Sequence, residues 1–165
     1  MPAIQSPAEL YAHAIAIERE AAERYSELAE RMDDEGRDEL ARVFGELARL
    51  EAEHLDTLER RTAGLALPEI PADRYRWLEH GAPETAPHDL VFRLMTPRQA
   101  LAIALDAELR AQAFFEHVCV SAPDPALRAL AREMAAEERS HVDLVSRMFE
   151  STPPPLGARL VFERE

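Results

Sequence analysis

Apolar residues recur at steps of three and four over four long stretches of the chain, and the pattern fails between them. The first stretch opens at Ser6-Pro7 and carries Leu10, Ala14, Ile17, Ala21, Tyr25 and Leu28 on one stripe. Serine caps free amides of a first turn, and proline loses nothing at the first helical position, where its missing N–H would have no partner. These features predict a helix over residues 7–31. The acidic turn Asp33-Asp34-Glu35-Gly36 leads into a second helix over 35–61, with Leu40, Val43, Phe44, Leu47, Leu50, His54, Leu55 and Leu58 inward and Gly64 as a stop. Thr96-Pro97 repeats the opening signal for a third helix over 97–121. Asp124-Pro125 does the same for a fourth over 125–150, which Pro153, Pro154 and Pro155 end.

Between the second and third helices the periodicity breaks. Prolines at 68, 71, 83, 87 and 97 punctuate a stretch too long for an ordinary turn. A crossover over 64–95, with a short helix near 73–80 anchored by Tyr75, Trp77 and Leu78, returns the chain to the end from which the second helix started. The second and third helices are then parallel. The expected architecture is all-α: one four-helix bundle domain over residues 1–150, followed by a proline-rich tail over 151–165 in which Leu160, Val161 and Phe162 are apolar.

Composition supports this reading. Of 165 residues, 47% are hydrophobic, 31% are charged and only 5 are glycine, which suits a single helical core. The net charge of −13 argues against nucleic acid or an anionic membrane as a partner. No apolar run approaches the ~20 residues of a membrane span, and no cleavable leader is evident, so the expected compartment is the cytoplasm. The single cysteine, Cys119, excludes an internal disulfide and a cysteine metal knuckle, and is expected to pack as a small buried hydrophobe.

Two tetrapeptides carry the candidate chemistry: Glu51-Ala52-Glu53-His54 and Glu138-Arg139-Ser140-His141. On a helix, residues three apart share a face, so each word aims a carboxylate and an imidazole in one direction. Glu-x-x-His on two helices, with one glutamate from each of the other two, is the ligand pattern of bundle-core dinuclear sites. An internal repeat supplies the second pair. A shift of 90 residues carries Ser6-Pro7 onto Thr96-Pro97, Glu18 onto Glu108 and Tyr25 onto Phe115, while a shift of 87 carries Glu51 and His54 onto Glu138 and His141. Depth agrees: at 1.5 Å per residue all four glutamates lie roughly 20–24 Å from the helix ends that face them across the turns.

Four carboxylates and two imidazoles suit two divalent transition metals, with iron, manganese, zinc or a mixed pair compatible with the donors. Tyr25 is placed to pack in the core or to bond a ligand carboxylate. Asp56 and Asp143 are expected at the solvated surface rather than behind the histidines. His13, His80, His88 and His117 have no such register and are assigned to surface or packing, and Glu20, Glu23, Glu53 and Glu137 to outward positions.

These residues resemble the ferritin-like superfamily, and most nearly rubrerythrin-like proteins, over about 6–62 and 96–150. The resemblance implies an antiparallel four-helix bundle with a long crossover between the second and third helices. It also implies a di-iron centre in which Glu51 and Glu138 bridge while Glu18, His54, Glu108 and His141 are terminal ligands. The implied activity is oxidoreductase chemistry on hydrogen peroxide or oxygen, with ferroxidase action in iron handling, or metal binding without catalysis in a helical dimer, as alternatives. A homodimer is expected by the same analogy. One cysteine cannot form the four-cysteine rubredoxin site of full rubrerythrins, so peroxidase turnover implies an external electron donor. Rubrerythrins carry a further glutamate near the third-helix ligand, whereas Leu105 and Ala111 flank Glu108 here at three residues' distance. The ligand set is therefore expected to be symmetric.

Overall fold

The computed structural model describes residues 4–71 and 96–154, and all regular structure in them is helical. Helix α1 spans Pro7–Asp34 and α2 spans Asp38–Arg61. Helix α3 spans Pro97–Ser121 and α4 spans Pro125–Ser151. The short helix expected near 73–80, with Tyr75, Trp77 and Leu78, lies outside the described residues. So do His80, His88 and the apolar tail residues Leu160, Val161 and Phe162.

Three of the four starts form as their sequences dictate. The Glu9 amide donates to Ser6 Oγ at 3.2 Å, and the Leu127 amide donates to Asp124 Oδ2 at 2.9 Å. Thr96 and Gln99 form a reciprocal capping box. The α1–α2 turn differs from expectation. Asp33 and Asp34 remain in the last turn of α1, and the reversal falls at Glu35–Arg37, because Gly36 takes the left-handed conformation with φ 69°.

Helices α1 and α2 pack as one antiparallel hairpin and α3 and α4 as another. The two hairpins enclose two apolar clusters. One joins Leu10, Ala14 and Ile17 of α1 to Leu58 of α2, Phe114, Phe115 and Val118 of α3, and Leu127, Ala131 and Met134 of α4. The other joins Tyr25 and Met32 to Leu40, Phe44 and Leu47, to Ala100, Leu101 and Ala104, and to Val145. The second cluster thus draws on the starts of both α2 and α3 and on the ends of α1 and α4. This makes α2 and α3 parallel, as a segment of that length between them allows. Arg98 ties the start of α3 to the end of α4 through the carbonyls of Phe149 and Thr152, at 2.8 and 2.7 Å.

Cys119 is half-buried rather than fully enclosed, packing on the edge of the first cluster. His13 is completely buried; its Nδ1–H donates to the Glu9 carbonyl at 2.9 Å and its ring stacks on Phe114. His117, Asp56 and Asp143 are exposed, and Asp56 pairs with Arg60 one turn on.

The two clusters should carry most of the stability. Phe44→Ala empties a fully buried position and is expected to cost about 3–5 kcal/mol in urea denaturation, whereas Val120→Ser on the exposed face should stay within about 0.5 kcal/mol.

Candidate metal centre

A polar layer separates the two apolar clusters. Glu18 comes from α1, Glu51 and His54 from α2, Glu108 from α3, and Glu138 and His141 from α4. The four glutamates are 3–4% exposed and His141 is 7% exposed, whereas His54 is half-buried. All six residues that the sequence singles out are therefore brought to one level.

Their contacts are uneven. Glu51, Glu108 and His141 each present a ligand atom within 4.8 Å of the others, and no other such group of His, Cys, Asp or Glu occurs among the described residues. His141 Nδ1 lies 3.4 Å from Glu108 Oε2, 3.5 Å from Glu51 Oε1 and 3.8 Å from Glu138 Oε2. Glu18 is hydrogen-bonded to Glu51. Tyr25 donates its buried hydroxyl to Glu108 Oε1 across the bundle at 3.1 Å and stacks on Phe44. His54 stands one step back. Its Nε2 is 3.2 Å from His141 Nε2, with the rings edge to face.

The donor set fits divalent cations. Buried carboxylates and an imidazole are oxygen and nitrogen donors of the kind that transition metals take. Two buried ligand atoms, Glu18 Oε2 and His141 Nδ1, have no hydrogen-bond partner within the protein. Buried polar atoms are normally satisfied, so two orphans in a layer of convergent carboxyls mark a place built for something else.

Residues 9–86 match the family model described as Rubrerythrin. The chain is also 37% identical to an uncharacterized conserved protein from Magnetospirillum magnetotacticum MS-1 whose crystal structure is known at 2.00 Å resolution. The two superpose with a TM-score of 0.76, over 91% of this chain and 97% of that one. The chain belongs to the rubrerythrin family. Its fold is that of the ferritin-like superfamily, and its Glu/His cluster is of the metal-binding type that goes with it. No curated protein matches the chain.

Without a cation, this rubrerythrin-family layer must dispose of its charge by other means. Burial pushes the Glu138 carboxyl up to about 8, with the nearby Glu108 adding to the rise and His141 opposing it. Glu18 is raised well above the ordinary carboxylate range by burial, by its bond to Glu51 and by its acidic neighbours. Burial also raises Glu51, against the lowering effect of its bond to Glu18. Burial alone would lower His141, but the Glu108 carboxylate 3.4 Å from its Nδ1, with the charges of Glu51 and Glu138, outweighs that and lifts it to about 9. His54 moves down, through burial and the neighbouring charge of His141. One of the two Nε2 atoms donates to the other across the 3.2 Å between the rings.

Two features were not legible in the sequence. His54 and His141 occupy equivalent repeat positions, yet only His141 enters the cluster, because spacing along a helix does not fix its rotation or tilt. Glu137, expected to point outward, is half-buried, and burial raises its carboxyl. The Tyr25–Glu108 bond did leave a signal: Tyr25 lies two turns beyond Glu18 on the same face.

The raised carboxyls and the raised His141 bear on stability with one sign, whereas the lowered His54 costs stability only as pH falls below the ordinary imidazole value. Carboxyls raised by burial oppose folding increasingly as pH rises above the ordinary carboxylate range, and for Glu138 the penalty is complete above about 8. The raised His141 contributes stability that is full below the ordinary imidazole value and is lost as pH passes about 9. Metal-free protein should therefore show its highest urea midpoint near pH ~5.5 and lose stability steadily toward pH ~9. A midpoint that climbs over this range would contradict the assignment.

Proposed function

We propose that this protein is a di-iron carboxylate oxidoreductase acting on hydrogen peroxide or oxygen, with electrons delivered by an external donor. The observation that carries the reading is the buried layer itself: four carboxyls and His141 converge between two apolar clusters, with two ligand atoms left unpartnered. Glu18, Glu51, Glu108, Glu138 and His141, with His54 beside them, would hold the two ions. Bound iron supplies the two electrons that reduction of an O–O bond requires.

The chain's own residues supply the rest. Phe44, Leu47 and Tyr25 on one side, and Ile17, Ala111 and Phe115 on the other, exclude bulk water from the layer. Reduction of peroxide to water also consumes two protons, and buried carboxyls whose affinity for protons is raised can hold them where they are used. Tyr25 fixes the orientation of Glu108 and keeps a phenolic proton inside the layer. Burial, together with the charges of Glu108 and Glu51, keeps that phenol un-ionised.

A storage ferroxidase, the alternative, would turn over iron repeatedly. The rubrerythrin match favours chemistry on peroxide instead.

Protein grown with iron should contain about two irons per chain, and its reduced form should be oxidised rapidly by peroxide in stopped-flow absorbance. Zinc alone, or a reduced iron form indifferent to both peroxide and oxygen, would sink the reading. Glu51→Ala should abolish iron retention. Tyr25→Phe should keep the iron but slow the peroxide reaction about tenfold, the worth of one buried hydrogen bond.

A further inference from the structure

The repeat makes Glu18 equivalent to Glu108, Glu51 to Glu138, and His54 to His141, so two equal metal positions are the expectation from sequence. The structure breaks that equality in three places. Glu51, Glu108 and His141 are gathered within 4.8 Å, whereas their repeat equivalents Glu138, Glu18 and His54 form no such group. His141 is buried with an unpartnered Nδ1 facing the carboxylates, whereas His54 is half-buried and its Nε2 is engaged with His141 Nε2 at 3.2 Å. Tyr25 anchors Glu108, whereas Phe115 at the equivalent position has no hydroxyl, and Glu18 Oε2 is left without a hydrogen bond.

We infer that the two metal positions are unequal and fill in order: Glu51, Glu108 and His141 take the first divalent cation, and the second enters on the Glu18 side only as His54 releases His141. This rests on the metal-centre reading proposed above and adds to it the order of loading and a role for His54.

The first position needs little rearrangement. Its three ligand atoms already converge, and Tyr25 holds one of the carboxylates. A ligating imidazole characteristically donates its other ring N–H to a partner that fixes its tautomer and orientation. His141 has that partner in His54. In the one-metal state His54 is thus a positioning residue for His141 rather than a ligand. For His54 to become a ligand it must turn a nitrogen toward the Glu18 side and give up the contact with His141. Glu18 Oε2 is already buried and free of hydrogen bonds there, so the histidine is the part that must move. A form populated only in part lowers apparent affinity by its fraction. One lost hydrogen bond corresponds to about tenfold in Kd, and repulsion between the two cations widens the gap.

The test is a Co(II) titration of the metal-free full chain, followed by visible absorbance and by calorimetry. Two successive steps are expected, each of one cobalt per chain, with dissociation constants at least about tenfold apart. Glutamine still accepts a hydrogen bond from His141, so His54→Gln should hold the first step within about threefold and lose the second. His141→Gln should lose the tight step. Two cobalts bound with one affinity would overturn the inference while leaving the metal centre intact. A tight step that survives in His141→Gln but disappears in His54→Gln would overturn it as well. Wild-type protein that takes up no cobalt would remove the metal-centre reading itself, and the order of loading with it.

Discussion

Four carboxyl groups buried in one layer are the constraint on which the rest of this bundle depends. An isolated buried carboxylate is prohibitive, and four facing one another are worse. The chain meets the problem by keeping carboxyls protonated, by placing a positive imidazole among them and by donating the Tyr25 hydroxyl to Glu108. None of these measures satisfies Glu18 Oε2 or His141 Nδ1. The layer also explains why the core is divided. Apolar side chains fill the bundle above and below it, and these two clusters must supply the burial energy that the middle gives up. Surface ion pairs such as Arg19–Glu59 and Arg60–Asp56 decorate the outside and contribute little by comparison.

The four long helices, three of their starts and the level of the site were legible because their causes are local. A cap and a proline are adjacent in sequence, and a carboxylate and an imidazole three residues apart must share a face. The repeat then extended local information across the bundle, pairing Glu18 with Glu108 without reference to contacts. What could not be read depends on how one helix is rotated against another. His54 and His141 have equivalent spacing and opposite standing, and nothing in Glu-x-x-His encodes which imidazole enters the carboxylate cluster. Gly36 shows the same limit on a smaller scale. Acidic residues mark a helix boundary on either side of it, and only the left-handed backbone at Gly36 shows that Asp33 and Asp34 close α1 rather than open α2.

The comparison of the two halves shows where individuality enters a duplicated frame. All six ligand candidates obey the repeat, so they carry no information about difference between the halves. The differences lie in residues that need not touch a metal at all. Tyr25 has a hydroxyl where Phe115 has none, and that one oxygen anchors Glu108 and leaves Glu18 without an equivalent partner. Leu50 stands where the other half has Glu137, so a half-buried carboxyl sits one turn before His141 and an apolar side chain one turn before His54.

Such differences matter because a centre held by rigid helices has few other ways to be tuned. Helix backbones fix the distances between ligand positions, and the packed clusters on either side resist adjustment. What remains adjustable is the orientation of each carboxylate and imidazole, and that is set by the groups behind it. A hydrogen bond from Tyr25, or an imidazole–imidazole contact between His141 and His54, favours one orientation over another by an amount that binding chemistry can reverse. A symmetric ligand set on an asymmetric support is thus a physical route to two metal positions of different strength, reached without changing a single ligand.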